Sequence, residues 1–183
     1  MPPIKTRIFS LISIALLCWS IDAHGQSSVD RVKAAFLFHF TQFVEWPPSV
    51  LPADKSPLVI GVLGESPFDA YLEEAISEET VQGHPVTIRR YKDVAEIKTC
   101  HILYINLPSG TIQTVISQLK GRSILTVSDK KGFLQTGGMI RLFSEDNKIH
   151  FRINQVAAQA EHLVLSSKLL GLAEIYEGKE GQR

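Results

Sequence analysis

The chain has 183 residues, 44% of them hydrophobic, and its 19 basic side chains balance its 19 acidic ones. This length and composition are sufficient for one domain with a hydrophobic core. A neutral chain lacks the strong positive field that nucleic-acid binding requires, so the sequence excludes nucleic acid as a partner.

The first 25 residues form a predicted secretory signal peptide. Two basic residues precede an apolar segment over 8–21, and Ala23 and Gly25 suit the −3 and −1 positions of a cleavage site. The apolar segment is short and interrupted by serines, which favours a cleaved signal over a membrane anchor. We therefore expect an exported protein of net charge −1, with one domain over 26–177 and a frayed tail over 178–183.

The exported chain keeps a single cysteine, Cys100, so it cannot form an internal disulfide. Two alternatives remain open for this residue. It is either buried at the start of a strand or paired in an intermolecular disulfide. The apolar run over 102–105 that follows Cys100 favours burial.

The segment 32–46 predicts an amphipathic helix, stopped by Pro47, with more aromatic surface than one buried face needs. One helical stripe is formed by Val29, Val32, Phe36, Phe40 and Phe43. Phe38 lies on the opposite side of the helix, and Trp46 lies at its exit. The surplus apolar surface must therefore face a second layer of the chain, a second subunit or a partner protein.

The middle of the chain alternates between strands and helices, which predicts right-handed crossovers and a mostly parallel sheet. The predicted strands are 58–63, 86–91, 102–106 and 124–127, and the predicted helices are 68–75, 93–97 and 111–119. Ser66 is placed to cap the first of these helices, with Pro67 as its first residue.

The C-terminal part changes to an antiparallel pattern. The segments 139–143 and 149–153 alternate between apolar and polar residues around a polar turn, which predicts a hairpin. The helices that follow are predicted over 155–161, capped by Asn154, and from Ser166 or Ser167 to Tyr176. The predicted fold is thus α/β, a three-layer sandwich with a mostly parallel sheet, a C-terminal antiparallel hairpin and helices on both faces.

Open α/β sheets bind ligands at the carboxyl ends of their strands. Glu65, Ser66, Asn106 and Asp129 follow such strand ends and are the candidate ligand-binding residues. Ordinary loop and capping chemistry is the competing interpretation of these four residues, because any fold of this class supplies such ends.

The sequence contains no recognisable catalytic constellation. Its histidines show no metal-ligand spacing, and no nucleophile can be matched with a base and an orienting group. We therefore predict a protein that is not an enzyme and that has no metal site and no cofactor. The polar hairpin face instead carries Arg141 and Arg152, which would form a charged rim beside an apolar contact patch.

Several blocks of sequence, in this order, resemble the YfiR-like family of bacterial periplasmic proteins. The blocks lie within 33–47, 58–68, 100–105, 125–129, 137–140, 151–154 and 166–173. They include Phe43-Val44-Glu45-Trp46-Pro47 and Leu125-Thr126-Val127-Ser128-Asp129. The ordered set covers nearly the whole exported chain, although each block alone is unspecific.

The resemblance implies a non-enzymatic regulator that represses a membrane diguanylate cyclase, YfiN, by binding its periplasmic sensor region. Such a repressor controls cyclic di-GMP and biofilm formation. The resemblance also implies a homodimer and an outer-membrane lipoprotein as a second partner. Redox control through an internal disulfide is not implied, because Cys100 stands alone.

Candidate partner-binding residues follow from the resemblance and from the residues themselves. They are Phe38, Glu45, Trp46, Pro47, Arg152 and Asn154. The alternative function is a periplasmic sensor of a small ligand that binds at the strand ends.

Overall fold

A mixed eight-stranded sheet forms the middle layer of the protein. The computed structural model describes residues 23–52 and 55–178, with side chains from Ser28 onward. The strands in chain order are β1 (Val44–Glu45), β2 (Leu58–Gly64), β3 (Thr80–Val81), β4 (His84–Tyr91), β5 (Ile102–Asn106), β6 (Leu125–Ser128), β7 (Ile140–Glu145), β8 (Lys148–Ile153), β9 (Val164–Leu165) and β10 (Glu174–Ile175). Their order in the sheet is β10-β8-β7-β6-β5-β2-β4-β3, and β1 pairs with β9 separately.

Helices cover both faces of this sheet, so the predicted α/β sandwich is confirmed. They are α1 (Ala23–Phe43), α2 (Asp69–Ile76), α3 (Ser109–Leu119), α4 (Gln155–Ala160) and α5 (Ser167–Leu172), with short 3₁₀ turns at Val94–Glu96 and Phe133–Thr136. The predicted signal peptide up to residue 22 and the predicted tail beyond Gly178 lie outside the described residues.

Parallel pairing runs through the centre of the sheet. β2 pairs parallel with β4 and β5, β5 with β6, and β6 with β7. Every residue of Leu58–Leu63 is buried, because β2 is covered by helices on both faces. This burial on both faces explains why residues 58–63 form a continuous apolar run in the sequence, and it confirms the predicted buried strand.

The two sheet faces carry separate hydrophobic clusters. On one face α1 contributes Leu37 and Phe40 to a cluster that includes Tyr104 of β5. On the other face α3 contributes Ile112 and Ile116. A fully buried side chain of this size stabilises the fold by about 1.5–3 kcal/mol, so the two clusters fix the positions of α1 and α3.

The predicted antiparallel hairpin is formed by β7 and β8, and its turn is tight. Asp146 and Asn147 both have positive φ, at 49° and 58°. Two such residues between antiparallel strands match the type I′ turn, whose twist suits a hairpin. Among residues with a side chain, Asn and Asp tolerate this conformation best.

The last helix is shorter than the sequence predicts. It ends at Leu172 rather than at Tyr176, and β10 then pairs parallel with β8 at the edge of the sheet. The Tyr176 amide donates to the Ile153 carbonyl at 2.8 Å. This pairing across the chain outweighs the helical preference of the local sequence.

Two other helix boundaries also differ from prediction. α1 ends at Phe43, before Pro47, because Val44–Glu45 pairs with Val164–Leu165. α2 begins at Asp69, and the Ser66 hydroxyl accepts a 3.3 Å hydrogen bond from the Phe68 amide in the preceding turn.

Candidate functional site

The aromatic stripe of α1 is only partly covered by the rest of the chain. Phe40 is buried, but Phe36 and Phe43 are half-buried and Val32 is exposed. α1 lies against β8, where the ring centroids of Phe36 and Phe151 are 5.3 Å apart. The stripe therefore anchors the helix on one side and leaves apolar surface facing solvent on the other.

This uncovered surface forms an apolar groove between α1, β8 and α5, with a volume of about 340 Å³. The residues that line it are Phe36, His39, Phe40, Gln42, Phe43, Phe151, Leu169 and Leu172. Leu172, in the last turn of α5, is 75% exposed. An exposed apolar groove of this kind is a common feature of protein contact surfaces.

Phe38 does not belong to this surface. It is 7% exposed and lies in the core cluster on the α1 side of the sheet. Of the alternatives that the sequence left open for its side chain, a second layer of the same chain is the one observed, since α2 packs beside α1. The burial of Phe38 argues against its candidate role in partner binding, and it follows from α1 being enclosed on more than its sheet-facing side.

His101, directly before β5, forms hydrogen bonds with Trp46 and with the loop that follows it. The Trp46 indole N–H donates to the His101 carbonyl at 3.2 Å, and the two rings meet edge to face. The His101 Nε2–H donates to the Val50 carbonyl at 3.2 Å, while its Nδ1 accepts from the Val59 amide at 2.9 Å. Both ring nitrogens are thus used, and the neutral imidazole is the form that fits.

Burial lowers the pKa of His101, and the nearby His84 lowers it further. A proton on Nδ1 would remove the acceptor for the Val59 amide. The loop after α1 is therefore held by a histidine that must stay uncharged. This role of His101 was not predicted from the sequence, although a histidine at the start of an apolar strand is a signal for a buried, bonded ring.

Glu45 lies in the short antiparallel ladder between β1 and β9, which joins the end of α1 to the chain before α5. Glu45 pairs with Val164, and the Ser166 amide donates to the Phe43 carbonyl at 2.9 Å. Glu45 is exposed, and Val164 is 59% exposed. Pro47 follows directly, and its carbonyl accepts from the Val50 amide at 2.9 Å. Glu45, Trp46 and Pro47 therefore lie together, as their spacing requires.

Arg152 and Asn154 lie away from this segment, since β6 and β7 separate β8 from β5. Arg152 forms an ion pair with Glu174 of β10, and its guanidinium lies 5.3 Å from the centre of the Phe143 ring. Arg141 is directly opposite Arg152 in the ladder. The ion pair and the ring contact offset the repulsion that two facing arginines would otherwise cause.

Asn154 is a helix cap rather than a free surface group. Its Oδ1 accepts from the Ala157 amide at 3.0 Å, which confirms the predicted cap of α4. Its Nδ2 donates to the Leu134 carbonyl at 3.3 Å, and its own amide donates to Met139. Asn154 therefore has a structural role, since it caps α4 and joins this helix to the 3₁₀ turn at Phe133–Thr136.

The side chains of three of the four candidate ligand residues at the strand ends are bonded within the chain, and Glu65 contributes its backbone carbonyl. Asn106 Nδ2 donates to the Glu65 carbonyl at 2.6 Å, and the Ser66 hydroxyl is bonded in its own turn. Lys33 of α1 donates to Asp129 at 2.7 Å. The structure brings Asn106 next to Glu65, but it places Asp129 with Lys33.

The Lys33–Asp129 pair joins the middle of α1 to the end of β6. Burial alone would raise the pKa of Asp129, but the hydrogen bond and charge of Lys33 outweigh it and the pKa is lowered. Burial and the Asp129 charge raise the pKa of Tyr104. This role of Lys33 is not visible in the sequence, because a lysine within an amphipathic helix ordinarily indicates a solvated face.

Cys100 is buried, as the sequence favours, and the alternative of an intermolecular disulfide is contradicted for the folded chain. The residue is 3% exposed, and burial raises the pKa of its thiol to about 12. β2 passes so close that a Cβ on Gly61 would lie 2.7 Å from the Cys100 sulfur. A thiol in this position is neither ionised nor accessible to a partner.

Within residues 23–52 and 55–178, no three His, Cys, Asp or Glu side chains are grouped so that they could hold a metal ion. Over the same part of the chain, no helix has the length and apolar character that a membrane span requires.

The protein matches the model of the YfiR/HmsC-like family over residues 30–174. It belongs to this family. Membership confirms the resemblance seen in the sequence, and the family is one of periplasmic proteins known as regulatory and non-enzymatic. Among curated proteins no match is found.

Solved structures that match this family member include the following two. The ABC domain in complex with L-Trp from Streptococcus pneumonia has a TM-score of 0.51 at 14% identity, with 78% of this chain and 60% of that chain covered. A conserved domain protein from Vibrio cholerae has a TM-score of 0.45 at 13% identity, over 70% and 56% of the two chains. The chain thus spans no more than 60% of either structure, and the first similarity concerns the fold alone.

Proposed function

We propose that this protein represses a membrane diguanylate cyclase by binding its periplasmic sensor region, and so restrains cyclic di-GMP synthesis and biofilm growth. Family membership supports regulation of such a cyclase. The observation that carries the specific proposal is the apolar groove between α1, β8 and α5, which the described part of the chain leaves uncovered.

The groove has the chemistry of a contact site for an apolar segment of a partner. Half-buried aromatic rings of Phe36 and Phe43 form one wall, and Leu172 projects from the other. Aromatic side chains of this kind contribute strongly to binding when a partner removes them from water. Polar groups are sparse along the groove, so apolar contact rather than charge would supply most of the affinity.

The adjoining β1–β9 ladder extends this surface. Val164 is exposed beside Glu45, and the Trp46 loop leads away from the same ladder. In this proposal Leu172, Val164 and Glu45 contact the partner directly. Trp46 and Pro47 support the surface from behind, because Trp46 is half-buried and bonded to His101.

The same surface is the proposed seat of two further partners that the resemblance implies. A second copy of the chain would form a homodimer, and an outer-membrane lipoprotein would compete with the cyclase for the protein. All three associations would bury Leu172. A partner that displaces the cyclase from this one groove would relieve repression without any change in fold.

A titration with matched variants tests the proposal. The protein, purified from the periplasm, is titrated against the periplasmic region of the cyclase encoded nearest to it. Leu172→Glu places a charge in the groove, and Val156→Glu is its control, since Val156 of α4 is also 75% exposed but does not line the groove. Sedimentation of the protein alone reports self-association in the same variants.

We expect saturable binding that Leu172→Glu weakens by at least about tenfold and Val156→Glu leaves unchanged, because a charge buried against an apolar partner is costly. Equal effects of the two substitutions would reject the groove as the contact site. An absence of binding by the folded protein would reject the repressor role. Loss of self-association without loss of cyclase binding would assign the groove to a homodimer instead.

A sensor of small ligands at the strand ends is the weaker candidate. The polar groups of Asn106, Ser66 and Asp129 are bonded within the chain. The cavity of about 420 Å³ next to α3 at this end is lined by Leu63, Lys92, Asp93, Val94, Leu107, Pro108, Gly110, Thr111, Thr114, Val115 and Gln118. None of the predicted ligand residues belongs to it.

A further inference from the structure

A second cavity, of about 410 Å³, opens on the α3 side of the sheet, across the sheet from the apolar groove. Its floor is apolar, since Ile116, Leu119, Ile124 and Met139 are all buried. α3, the 3₁₀ turn at Phe133–Thr136 and α4 form its walls. A volume of this size lies within the range of small-molecule sites, which are concave and mostly apolar.

The walls of this cavity are fixed by hydrogen bonds. Asn154 ties α4 to the 3₁₀ turn through the Leu134 carbonyl at 3.3 Å. The Met139 amide donates to the Thr126 hydroxyl at 3.2 Å. These bonds fix the positions of the walls without a ligand. A site formed in advance does not require ordering of its walls when a ligand binds.

The two charged residues at the mouth of the cavity differ in availability. The Glu161 carboxylate accepts from the Gly121 amide at 2.8 Å and from the Ser123 amide at 3.0 Å, so both of its oxygens are engaged with the turn after α3. Lys120 is exposed, and within the described residues it forms no ion pair or hydrogen bond. Glu161 keeps its negative charge, but Lys120 is the charged group at the mouth whose hydrogen-bond donors remain free for a ligand.

The geometry points to a binding site for a small apolar carboxylate, such as an aromatic or branched-chain acid, with its apolar part on Ile116 and Met139 and its carboxylate beside Lys120. A cation would meet Lys120 and find Glu161 already bonded. A neutral apolar molecule would fill the cavity but leave Lys120 without a counter-charge. This site is separate from the proposed partner surface and does not depend on it.

Titration calorimetry with 3-phenylpropionate and its neutral amide tests this assignment. Ala160→Phe fills the cavity, because Ala160 lines it at the end of α4. Val156→Phe is the matched control on the same helix, since Val156 is exposed and does not line the cavity. Lys120→Gln removes the charge, with Lys98→Gln as its control on the exposed surface.

We expect 3-phenylpropionate to bind at least about tenfold more tightly than its amide. Lys120→Gln should abolish this preference, Ala160→Phe should abolish binding of both probes, and neither control should change either. Binding that persists in Ala160→Phe would overturn the location of the site, and equal binding of acid and amide would overturn the role of Lys120. No binding of either probe in the millimolar range would overturn the site itself.

Discussion

Trp46 and His101, 55 positions apart in the chain, are joined by one hydrogen bond of 3.2 Å and by rings that meet at 90° with centroids 5.9 Å apart. His101 in turn binds the Val50 carbonyl. The segment after α1 is therefore held against the amino end of β5, although it contains two consecutive prolines and little regular structure. Its position, and with it that of the β1–β9 ladder, depends on these few contacts.

Substitution of Trp46 should separate its bond from its packing. Trp46→Phe keeps most of the ring contact with His101 but removes the N–H donor, so we expect a loss of about 1 kcal/mol in the free energy of unfolding. Trp46→Ala also removes the half-buried ring and should cost about 2–4 kcal/mol. Urea denaturation followed by circular dichroism measures both. Wild-type stability in Trp46→Ala would contradict the bonded geometry.

Stability should fall in mild acid because His101 is held neutral. Its pKa is lowered in the folded protein, whereas the unfolded chain has the ordinary value of about 6.5. The unfolded state therefore binds more protons in this range, so stability rises with pH up to about 6.5 and is lost progressively as the pH falls below it. Urea unfolding at a series of pH values from neutral to mildly acidic measures this dependence.

Two histidine variants identify the group responsible. His101→Gln should flatten the pH dependence in this range while lowering stability at neutral pH, because its amide cannot reproduce both ring bonds. His162→Asn is the control, since His162 is exposed and asparagine tolerates its positive φ of 60°. Its pH profile should match that of the wild type. A wild-type profile in His101→Gln would assign the pH dependence to other groups.

Asn154 should contribute to stability and not to partner binding. Asn154→Ala removes the cap of α4 and the bond to the Leu134 carbonyl, so we expect a loss of about 1–2 kcal/mol in the free energy of unfolding. Asn154→Ser restores the capping acceptor and should recover part of that loss. Thermal unfolding measures the change. Binding to the cyclase region that weakens in Asn154→Ser at unchanged stability would show that the residue is part of the interface.

Cys100 should be inert in the native protein. Its thiol is buried and its pKa is raised to about 12, so very little thiolate exists near pH 8. We expect Ellman's reagent to modify Cys100 only as the protein unfolds, with a rate that rises in parallel with urea unfolding. Oxidised protein should run as a monomer on a non-reducing gel. A disulfide-linked dimer formed without denaturant would show that the start of β5 opens in the native state.

The sequence predicts the centre of the sheet well because local and tertiary preferences agree there. The apolar runs of β2, β5 and β6 are buried on both faces, so composition alone identifies them. At β10 the two preferences conflict, since Glu174 and Ile175 follow a helical pattern but form the sheet edge through Tyr176. Such a pairing depends on residues 22 positions away, which no local pattern reports.

The candidate site is predicted only in part, for a related reason. The stripe on α1 is visible in the sequence, but which of its rings remain uncovered depends on α2 and α5. Phe38 and Leu172 illustrate this, since the prominent aromatic is buried and an ordinary leucine of the last helix is exposed. Lys33 likewise acquires its role only when the fold brings Asp129 to it.

α1 is attached to the rest of the domain at two points, by Lys33 on Asp129 near its middle and by the Phe43 carbonyl on the Ser166 amide at its end. The helix between these two attachments covers about 15 Å. The C-terminal half of the helix, which carries Phe36, Phe40 and Phe43, is therefore held at both of its ends. A partner bound in the groove would contact the part of α1 that connects the chain before α5 with the carboxyl end of β6.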